Sequence, residues 1–219
     1  MSAPLIIAVD GPAASGKSTL ARRLARHFGL AFLDTGLLYR AVARSMLDRG
    51  LDPADADAAV RTARDLAPED VDPSRLRGEG VGQNASKVAA VPAVRAALLP
   101  FQRNFARQGA GAVLAGRDVG TVICPDATFK LFVTASDAER ARRRFEELRG
   151  RGDEPIYAAV LEELQERDRR DADRAVAPMR VAPDAWVIDT TGLDADAAFA
   201  AACRHIEAGG AKVEHPSVG

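Results

Sequence analysis

One stretch near the start of the sequence combines glycines, a lysine and a serine at a spacing that suits phosphate binding: Gly11-Pro12-Ala13-Ala14-Ser15-Gly16-Lys17-Ser18. It matches the pattern G-x-x-x-x-G-K-[ST] in full. The glycines let the backbone fold tightly, so that consecutive N–H groups point at phosphate oxygens, and the N-terminus of a following helix adds partial positive charge. Lys17 can bridge the β- and γ-phosphates, and Ser18 can hold Mg²⁺ through its hydroxyl. The stretch therefore predicts a nucleoside triphosphate site.

This pattern alone does not separate a kinase from a GTPase or a motor protein. A GTPase would normally carry an N-K-x-D motif that reads the base, and the sequence has none. A phosphotransferase needs, in addition, an acceptor site and a mobile, cationic cover over the γ-phosphate. Four further segments could supply them: Leu33 to Arg40, Asn84 to Arg95, Gly116 to Thr121, and Arg167 to Arg174.

Strands and helices must position these segments, and the hydrophobic pattern predicts an α/β fold with a parallel sheet. Leu5–Val9 is a continuous apolar run, typical of a strand that is buried on both faces. Apolar residues at helical spacing follow the glycine-rich turn, and Leu37–Arg49 shows the same spacing. Further strands are predicted at Ala31–Leu33, Ala112–Ala115, Phe129–Val133 and Trp186–Asp189, and further helices at 58–67, 84–108, from Ser136, from Pro155 and at 194–208.

Three details of the predicted helices follow from single residues. The helical stretch 84–108 should break or restart at Pro92 and again at Pro100. Ser136 and Glu139 form a capping-box pattern at the start of a helix. Most arginines between Glu139 and Arg174 are expected on solvated helix faces, in i,i+4 pairs with acids. The pattern leaves this open for Arg140, Arg142 and Arg149.

The composition excludes several classes of protein. The 219 residues are 47% hydrophobic and 28% charged, which is typical of one globular domain and not of a disordered or collagenous chain. A formal net charge of −1 gives no overall attraction to nucleic acid or to an anionic membrane. Cys124 and Cys203 fit no metal-binding spacing, and the first apolar run stops at Asp10, too early for a signal peptide. We expect a monomer in the reduced compartment of the cytoplasm, with a single domain over residues 1–219.

Five stretches of the sequence together resemble a known family: GPAASGKST, LDTGLLYRAVA, ASKVAAVPAVR, GRDVGTVICPDA and RDRRDADRAVAP. They occur in the order and rough spacing of bacterial cytidylate kinases, which are nucleoside monophosphate kinases of the P-loop class. The similarity runs from about Leu5 to Asp189. S-K-V-A-A-x-P-x-V-R combined with G-R-D-x-G-T is nearly diagnostic, so the sequence resembles this family over most of its length.

The resemblance implies a three-layer P-loop kinase fold with a parallel sheet, a short helical acceptor-binding insert near residues 37–110 and a helical lid near 143–175. It implies transfer of the γ-phosphoryl group of ATP, with Mg²⁺, to CMP or dCMP. The lid should close on binding and exclude water, so that the phosphoryl group is not lost to solvent. No protein general base is expected, because the acceptor phosphate is already an anionic nucleophile.

The resemblance also implies roles for residues on the donor side. Ser18 would hold Mg²⁺, and Asp34 would orient the ion through water. Lys17, Arg117 and Arg174 would be the catalytic cations that stabilise the charge on the transferred group. The ATP phosphates would bind along the whole first motif, which comprises Gly11, Pro12, Ala13, Ala14, Ser15, Gly16, Lys17, Ser18 and Thr19.

On the acceptor side, the resemblance implies that Arg40 and Arg117 clamp the acceptor phosphate. It places Ser86, Arg95 and Asp118 on the cytosine, whose N4 amino group donates hydrogen bonds while O2 and N3 accept them. A carboxylate accepts from N4 and repels O4 of uracil, whereas a guanidinium donates to O2 or N3. The sugar and phosphate would contact Thr35, Arg167, Asp171 and Arg174.

The sequence departs from the family pattern in three places. Ala115 stands where many members carry an acidic residue, and Thr35 stands where serine is also used. Residues 60–83 are compact, and only Leu76-Arg77 and Asn84-Ala85-Ser86 remain recognisable, which predicts a reduced, mostly helical insert. Two other functions stay open: a P-loop kinase that acts on a different small acceptor, and a non-catalytic nucleotide-binding switch.

Overall fold

The computed structural model of the protein describes residues 3–67, 70–73, 75–76 and 80–210. None of the helices in these ranges is both long and apolar enough to span a membrane. One or more helical segments separate each strand from the next along the chain, as the hydrophobic pattern predicts. The strands are β1 Leu5–Asp10, β2 Ala31–Asp34, β3 Gly111–Gly116, β4 Phe129–Thr134 and β5 Trp186–Asp189. The helices are α1 Lys17–His27, α2 Thr35–Asp48, α3 Ala56–Arg64, α4 Val81–Ala89, α5 Pro92–Ala106, α6 Asp137–Arg149, α7 Tyr157–Ala172 and α8 Ala195–Ala208, with a π-helical turn at Val119–Ile123.

The five strands form one parallel sheet in the order β2-β3-β1-β4-β5. β1 is the central strand, and its Val9 lies level with Ala115 of β3 and Leu131 of β4. Residues 6–9 of β1 are at most 4% exposed, because helices cover both faces of the sheet. All strands end at the same edge, which is where ligands bind in open α/β sheets.

Alternate residues of the strands pack into two layers of helices. On one face of the sheet, Ile7 and Val9 pack against apolar side chains of α1 and α8. On the other face, Ile6 and Ala8 pack near Ala106 at the end of α5 and against the π-helical turn. The resulting order of helix, sheet and helix is the three-layer α/β architecture that the sequence predicts, and the prediction is confirmed.

Between β2 and β3, the described residues form the four helices α2 to α5 and no strand. These helices share a core that includes Met46, Ala59, Val88 and Val94, one from each helix. Arg77, which the sequence analysis pairs with Leu76, lies outside the described residues. The role of this segment as an acceptor-binding insert stays a prediction.

Helix α5 runs through Pro100 without a break, so the predicted interruption there is wrong. Proline lacks the N–H that would bond to the carbonyl of Ala96, but both residues lie on the exposed face, where water can satisfy that carbonyl. Leu98 and Gln102 on the opposite face are at most 3% exposed and keep the helix packed against its neighbours. Pro92 does mark a start, since it occupies the first turn of α5.

Half of the predicted capping box forms at the start of α6. The Ser136 hydroxyl accepts a hydrogen bond from the N–H of Glu139 at 3.3 Å. The Glu139 carboxylate does not return the contact but accepts from Arg142 at 2.7 Å and from Arg143 at 2.8 Å. Charge-assisted hydrogen bonds from two guanidinium groups are stronger than one from a neutral amide. The N–H of Ser136 donates to Thr191 Oγ1 instead, which ties α6 to the end of β5.

Both cysteines are free and buried: Cys124 follows the π-helical turn, and Cys203 lies in α8. Burial raises the pKa of each thiol to about 11. Both thiols are therefore protonated at neutral pH, and a protonated, buried thiol is a poor nucleophile.

Candidate functional site

A cleft of about 430 Å³ opens where β1, β2 and β3 end, bounded by α2, α4 and α7. From the predicted donor loop, the cleft is lined by Ala13, Ala14, Gly16, Lys17, Ser18 and Thr19, whereas Gly11, Pro12 and Ser15 do not line it. All nine predicted acceptor residues line it as well: Thr35, Arg40, Ser86, Arg95, Arg117, Asp118, Arg167, Asp171 and Arg174. The fold thus brings motifs from most of the chain to one place.

The loop from Gly11 to Gly16 turns so sharply that glycine is required at both ends. At Gly11, φ is +148°, and a Cβ atom would lie 2.0 Å from the carbonyl oxygen of Val133, so no larger residue fits. At Gly16, φ is +87°, and α1 begins at the next residue without a side-chain cap. The first N–H groups of α1 therefore remain available to an anionic ligand.

Lys17 lies in the cradle that this loop forms. Its Nζ donates to the carbonyl oxygen of Pro12 at 3.1 Å, and the residue is only 8% exposed. Burial and the charge of Arg117 lower the pKa of Lys17 well below its usual value, although Asp34 and Asp171 oppose the shift. A buried ammonium group in this position is stabilised by a bound anion such as a triphosphate.

Ser18 and Asp34 meet at the mouth of the same loop, where Ser18 Oγ donates to Asp34 Oδ2 at 2.8 Å. Asp34 Oδ1 accepts from the N–H of Gly36 at 3.0 Å and so caps α2, which is why this helix begins at Thr35 and not at the predicted Leu37. The described residues contain no cluster of three or more His, Cys, Asp or Glu suited to a metal. A hydroxyl and one carboxylate fit Mg²⁺, which takes its other oxygen ligands from phosphates and water.

Asp171 of α7 is the centre of an ion network on the acceptor side. Its Oδ2 accepts from Arg117 Nε at 2.8 Å, and its Oδ1 accepts from Ser86 Oγ at 3.1 Å and from Arg174. Burial alone would raise the pKa of Asp171, but the guanidinium groups of Arg117, Arg174 and Arg167 lower it to about 2. The ionised carboxylate therefore holds Arg117 and Arg174 side by side in the cleft.

Arg40 and Arg167 add two further cations whose charges are poorly balanced. Burial and the charge of Arg117 lower the pKa of Arg167 to about 9, and its Nε is buried without a hydrogen-bond partner. Burial also lowers the pKa of Arg40. The two guanidinium groups lie over Gly82, where a Cβ atom would be 3.6 Å from Arg167 Nη1 and 3.8 Å from Arg40 Nη2. An unpartnered buried donor among clustered cations indicates an anion site.

Two of the three residues predicted to read the base, Arg95 and Asp118, form an ion pair with each other. They are 7% and 4% exposed, so the pair is almost entirely removed from water. Arg95 Nη1 also donates to the carbonyl oxygen of Ala89 at 3.3 Å, and its guanidinium lies 5.4 Å from the ring centre of Tyr39. No pattern in the sequence predicts this pairing, which depends on how α5 packs against the loop after β3.

Thr35 lines the cleft, but its hydroxyl already has a structural partner. Its Oγ1 donates to the carbonyl oxygen of Ala115 at 3.0 Å, and a Cβ atom on Gly116 would lie 2.6 Å from that hydroxyl. This bond ties the start of α2 to the end of β3. The predicted contact of Thr35 with sugar or phosphate stays a prediction. Ala115 itself packs in the core between the sheet and α1, away from the cleft.

Comparison with known proteins places the sequence in a family. Residues 7–208 match the family model described as cytidylate kinase. The chain belongs to the cytidylate kinase family. A cytidylate kinase from Methylocella silvestris is 61% identical over 203 residues, which are 93% of this chain and 94% of the relative. One from Paramagnetospirillum magneticum is 58% identical over 200 residues, 90% of this chain and 95% of the relative. The resemblance predicted from the five motifs is confirmed.

Solved structures with low sequence identity share the fold of this cytidylate kinase family member. An uncharacterized protein from Eubacterium ventriosum has a TM-score of 0.54 at 17% identity, and the match covers 93% of this chain and 98% of that one. An unliganded sugar kinase from Janibacter sp. has a TM-score of 0.50 at 15% identity, with coverage of 93% and 95%. These likenesses support the P-loop kinase fold.

The cytidylate kinase family member also contains a buried carboxylate, Asp10, that no predicted motif includes. It ends β1 and is 5% exposed. Its Oδ1 accepts from the N–H of Val119 at 2.8 Å, and its Oδ2 accepts from the N–H of Gly120 at 2.7 Å. These bonds fix the π-helical turn, and with it Asp118, against the central strand. The signal in the sequence is an acid that ends an apolar strand directly before a glycine-rich loop.

Asp10 makes the stability of the protein depend on pH. Burial raises its pKa from the usual 3.8 to about 7, although the Val119 and Gly120 amides oppose the shift. Between about pH 4 and pH 7 the folded state therefore holds one proton more than the unfolded state. The contribution of Asp10 to the free energy of unfolding should therefore fall by about 1.4 kcal/mol per pH unit over this range and level off above it. Urea denaturation should show this slope in the difference between wild type and Asp10→Asn; a difference independent of pH would contradict the raised pKa.

Proposed function

We propose that this cleft transfers the γ-phosphoryl group of ATP to CMP or dCMP, with ATP bound at the P-loop, residues 11–19, and the acceptor bound opposite. The chain is an ATP-dependent phosphotransferase of the cytidylate kinase family, whose acceptors are CMP and dCMP. The observation that carries the placement of the two sites is a cleft with two separate groups of cations, one at the start of α1 and one around Asp171. One nucleotide would leave the second group without an anion.

On the donor side, the N–H groups of the P-loop and of the first turn of α1 bind the ATP phosphates. Lys17 would bridge the β- and γ-phosphates, and its Nζ is already held inside the loop, 3.1 Å from the Pro12 carbonyl oxygen. Ser18 and Asp34 would hold Mg²⁺, which neutralises phosphate charge when it is bound. Ser18 would coordinate through Oγ, and Asp34 would orient the ion through water.

On the acceptor side, Asp118 accepts a hydrogen bond from the N4 amino group of cytosine, and Arg95 donates to O2 or N3. Their ion pair and the Tyr39 ring hold both groups in place, so base binding requires little further ordering of side chains. Uracil presents an oxygen where cytosine presents N4, so Asp118 would face another acceptor. Ser86 of α4, which lines the same cleft, completes the base site.

The acceptor phosphate binds among Arg40, Arg117, Arg167 and Arg174. Asp171 keeps Arg117 and Arg174 side by side and can also accept from a sugar hydroxyl. All of these guanidinium groups line the same cleft as Lys17, and the charges of Arg117 and Arg167 help to lower the pKa of that lysine. Cations from both groups would then hold the attacking phosphate oxygen against the γ-phosphate.

Transfer itself needs charge stabilisation and no proton acceptor. Negative charge spreads over the oxygens of the moving group, and Lys17, Arg117 and Arg174, which all line the cleft, would stabilise it. Because the site excludes water when α6 and α7 close over it, the phosphoryl group reaches the acceptor and not solvent. Closure of this lid, the monomeric state and the cytoplasmic location stay predictions.

A panel of nucleoside monophosphates with ATP, followed by ADP release, tests the proposed function. CMP and dCMP should give the highest kcat/KM, and UMP should fall below CMP by about 5- to 150-fold, the factor expected when about 1–3 kcal/mol of base hydrogen bonding is lost. ADP release without an acceptor sets the background. Preference for a different small acceptor would favour the related-kinase alternative, and tight ATP binding with no acceptor at all would favour a nucleotide-binding switch.

A further inference from the structure

Arg140 of α6 and Asp168 of α7 form an ion pair at the base of the two lid helices. The Arg140 side chain is 5% exposed and that of Asp168 is 16% exposed, so this arginine does not lie on a solvated helix face. Arg140 is also fixed within α6, since its Nη2 donates to Asp137 at 2.5 Å and its Nε donates to the carbonyl oxygen of Ala135 at 3.2 Å. The pair is therefore anchored to both lid helices. Neither residue belongs to the predicted donor or acceptor sets.

The pair forms hydrogen bonds with both backbone polar groups of Ala13 in the P-loop. Arg140 Nη1 donates to the carbonyl oxygen of Ala13 at 3.1 Å, and Asp168 Oδ1 accepts from the N–H of Ala13 at 3.4 Å. The Ala13 methyl group is buried in a small apolar core whose other members come from α6 and α7. Ala13 is thus held by two charged side chains and by packing, all from the lid helices.

The next residue, Ala14, has a backbone conformation that alanine disfavours. Its φ is +58°, and Ala177 is the only other described residue apart from glycine with a positive φ. For a residue with a Cβ atom, the population of the left-handed region is lower by a factor of about 5 to 30 than that of the right-handed region. Such strain persists only where the surroundings hold the backbone in place. Ala14 lines the donor side of the cleft, two residues before the glycine at the start of α1.

We propose that Arg140 and Asp168 are positioning residues for ATP: by holding the peptide of Ala13 they keep Ala14 left-handed and the following N–H groups aimed at the phosphates. This inference rests on the proposed donor site and deepens it. The pair does not contact the reacting atoms in this arrangement. Arg140 and Asp168 fix the backbone conformation of the loop, so the position of α6 and α7 affects the affinity for ATP.

The alternative role for the pair is purely structural, as a tie between α6 and α7. The two roles differ in what happens when the strain at residue 14 is removed. Glycine adopts a positive φ without the penalty that alanine has, so Ala14→Gly makes the loop less dependent on Arg140 and Asp168. A structural tie between the lid helices would matter equally whichever residue occupies position 14.

The test is a double-mutant cycle of Asp168→Ala and Ala14→Gly in the full-length protein. Binding of a non-hydrolysable ATP analogue is measured by calorimetry, and the kinetic constants are measured with CMP as acceptor. With Ala14 present, Asp168→Ala should weaken analogue binding and raise KM for ATP by about 5- to 30-fold, with KM for CMP changing much less. In the Ala14→Gly background, Asp168→Ala should weaken analogue binding by less than about one third of the factor measured with Ala14 present.

Equal effects of Asp168→Ala in the two backgrounds would overturn the positioning role. Asp168→Asn is the second variant, because it keeps the volume of the side chain while removing the charge that Arg140 needs, and it should show the same dependence on residue 14. Glu146→Ala, which removes an exposed partner of Arg142 on α6, is the matched control and should show no such dependence. Wild-type protein that binds the analogue but phosphorylates no CMP would refute the proposed function and leave this inference standing.

Discussion

Lys17→Ala is expected to lower kcat by at least about 100-fold while changing the affinity for CMP by less than about 3-fold, because the proposed role of the lysine is to stabilise charge that develops in the transition state. Its ammonium group is buried at the P-loop, and burial with repulsion from Arg117 leaves it in need of an anion. The proposed acceptor cations around Asp171 should bind CMP without it. Turnover is measured by ADP release, and CMP affinity by calorimetry.

Arg26→Ala provides the matched control for this experiment. Arg26 also lies on α1 but is exposed and does not line the cleft, so its removal changes the charge of the same helix without reaching the phosphates. Its kcat should stay within about 2-fold of the wild-type value. Near-normal kcat in Lys17→Ala would show that the loop binds its ligand in some other way than proposed.

Asp118→Ala should narrow the preference for CMP over UMP, measured as the ratio of their kcat/KM values, by about 5- to 150-fold. In the proposed complex of the wild type, the carboxylate accepts from N4 of cytosine, whereas uracil would place an oxygen against it. Without it, Arg95 loses its buried partner and becomes free to donate to O4 of uracil. The variant should therefore lose activity with CMP and retain or gain it with UMP.

Asp126→Ala is the control for selectivity, since Asp126 pairs with Arg107 in a similar arginine–aspartate bridge that is exposed and lies outside the cleft. Its CMP/UMP ratio should equal that of wild type. Asp118→Asn, which keeps the shape of the side chain, separates a loss of recognition from a loss of folding. A ratio that is unchanged in both Asp118 variants would mean that other groups read the base.

The features that the sequence predicts well are those encoded locally. The apolar run before the first glycine becomes the central strand β1, and the spacing of Gly11, Gly16 and Lys17 correctly predicts a tight glycine turn directly before α1. Helix boundaries are also local where a cap is present, as Ser136 shows for α6. Pro100 is the exception, because the cost of a proline inside a helix depends on which face it occupies, and that is set by tertiary packing.

The parts of the site that sequence reasoning does not reach all depend on partners far away in the chain. Arg140 has the same local surroundings as its solvated neighbours, and only the packing of α7 places Asp168 beside it. Asp10 becomes important because the turn at Val119 and Gly120 brings two N–H groups to it from a distant part of the chain. The pairing of Arg95 with Asp118 likewise joins separate elements. Residue types indicate that these groups can bind, but their mutual contacts are a property of the fold.

The burial of Cys124 and Cys203 has a practical consequence for measuring motion. A cysteine introduced at an exposed site would be far more reactive than either native thiol, so it could carry a fluorescent or spin label in the otherwise native sequence. Ala93 of α5 and Ala158 of α7 are exposed positions on two of the helices that carry proposed acceptor residues. Distances between labels at these two sites, recorded with each nucleotide separately and with both, would report directly how far the two helices approach each other during a catalytic cycle.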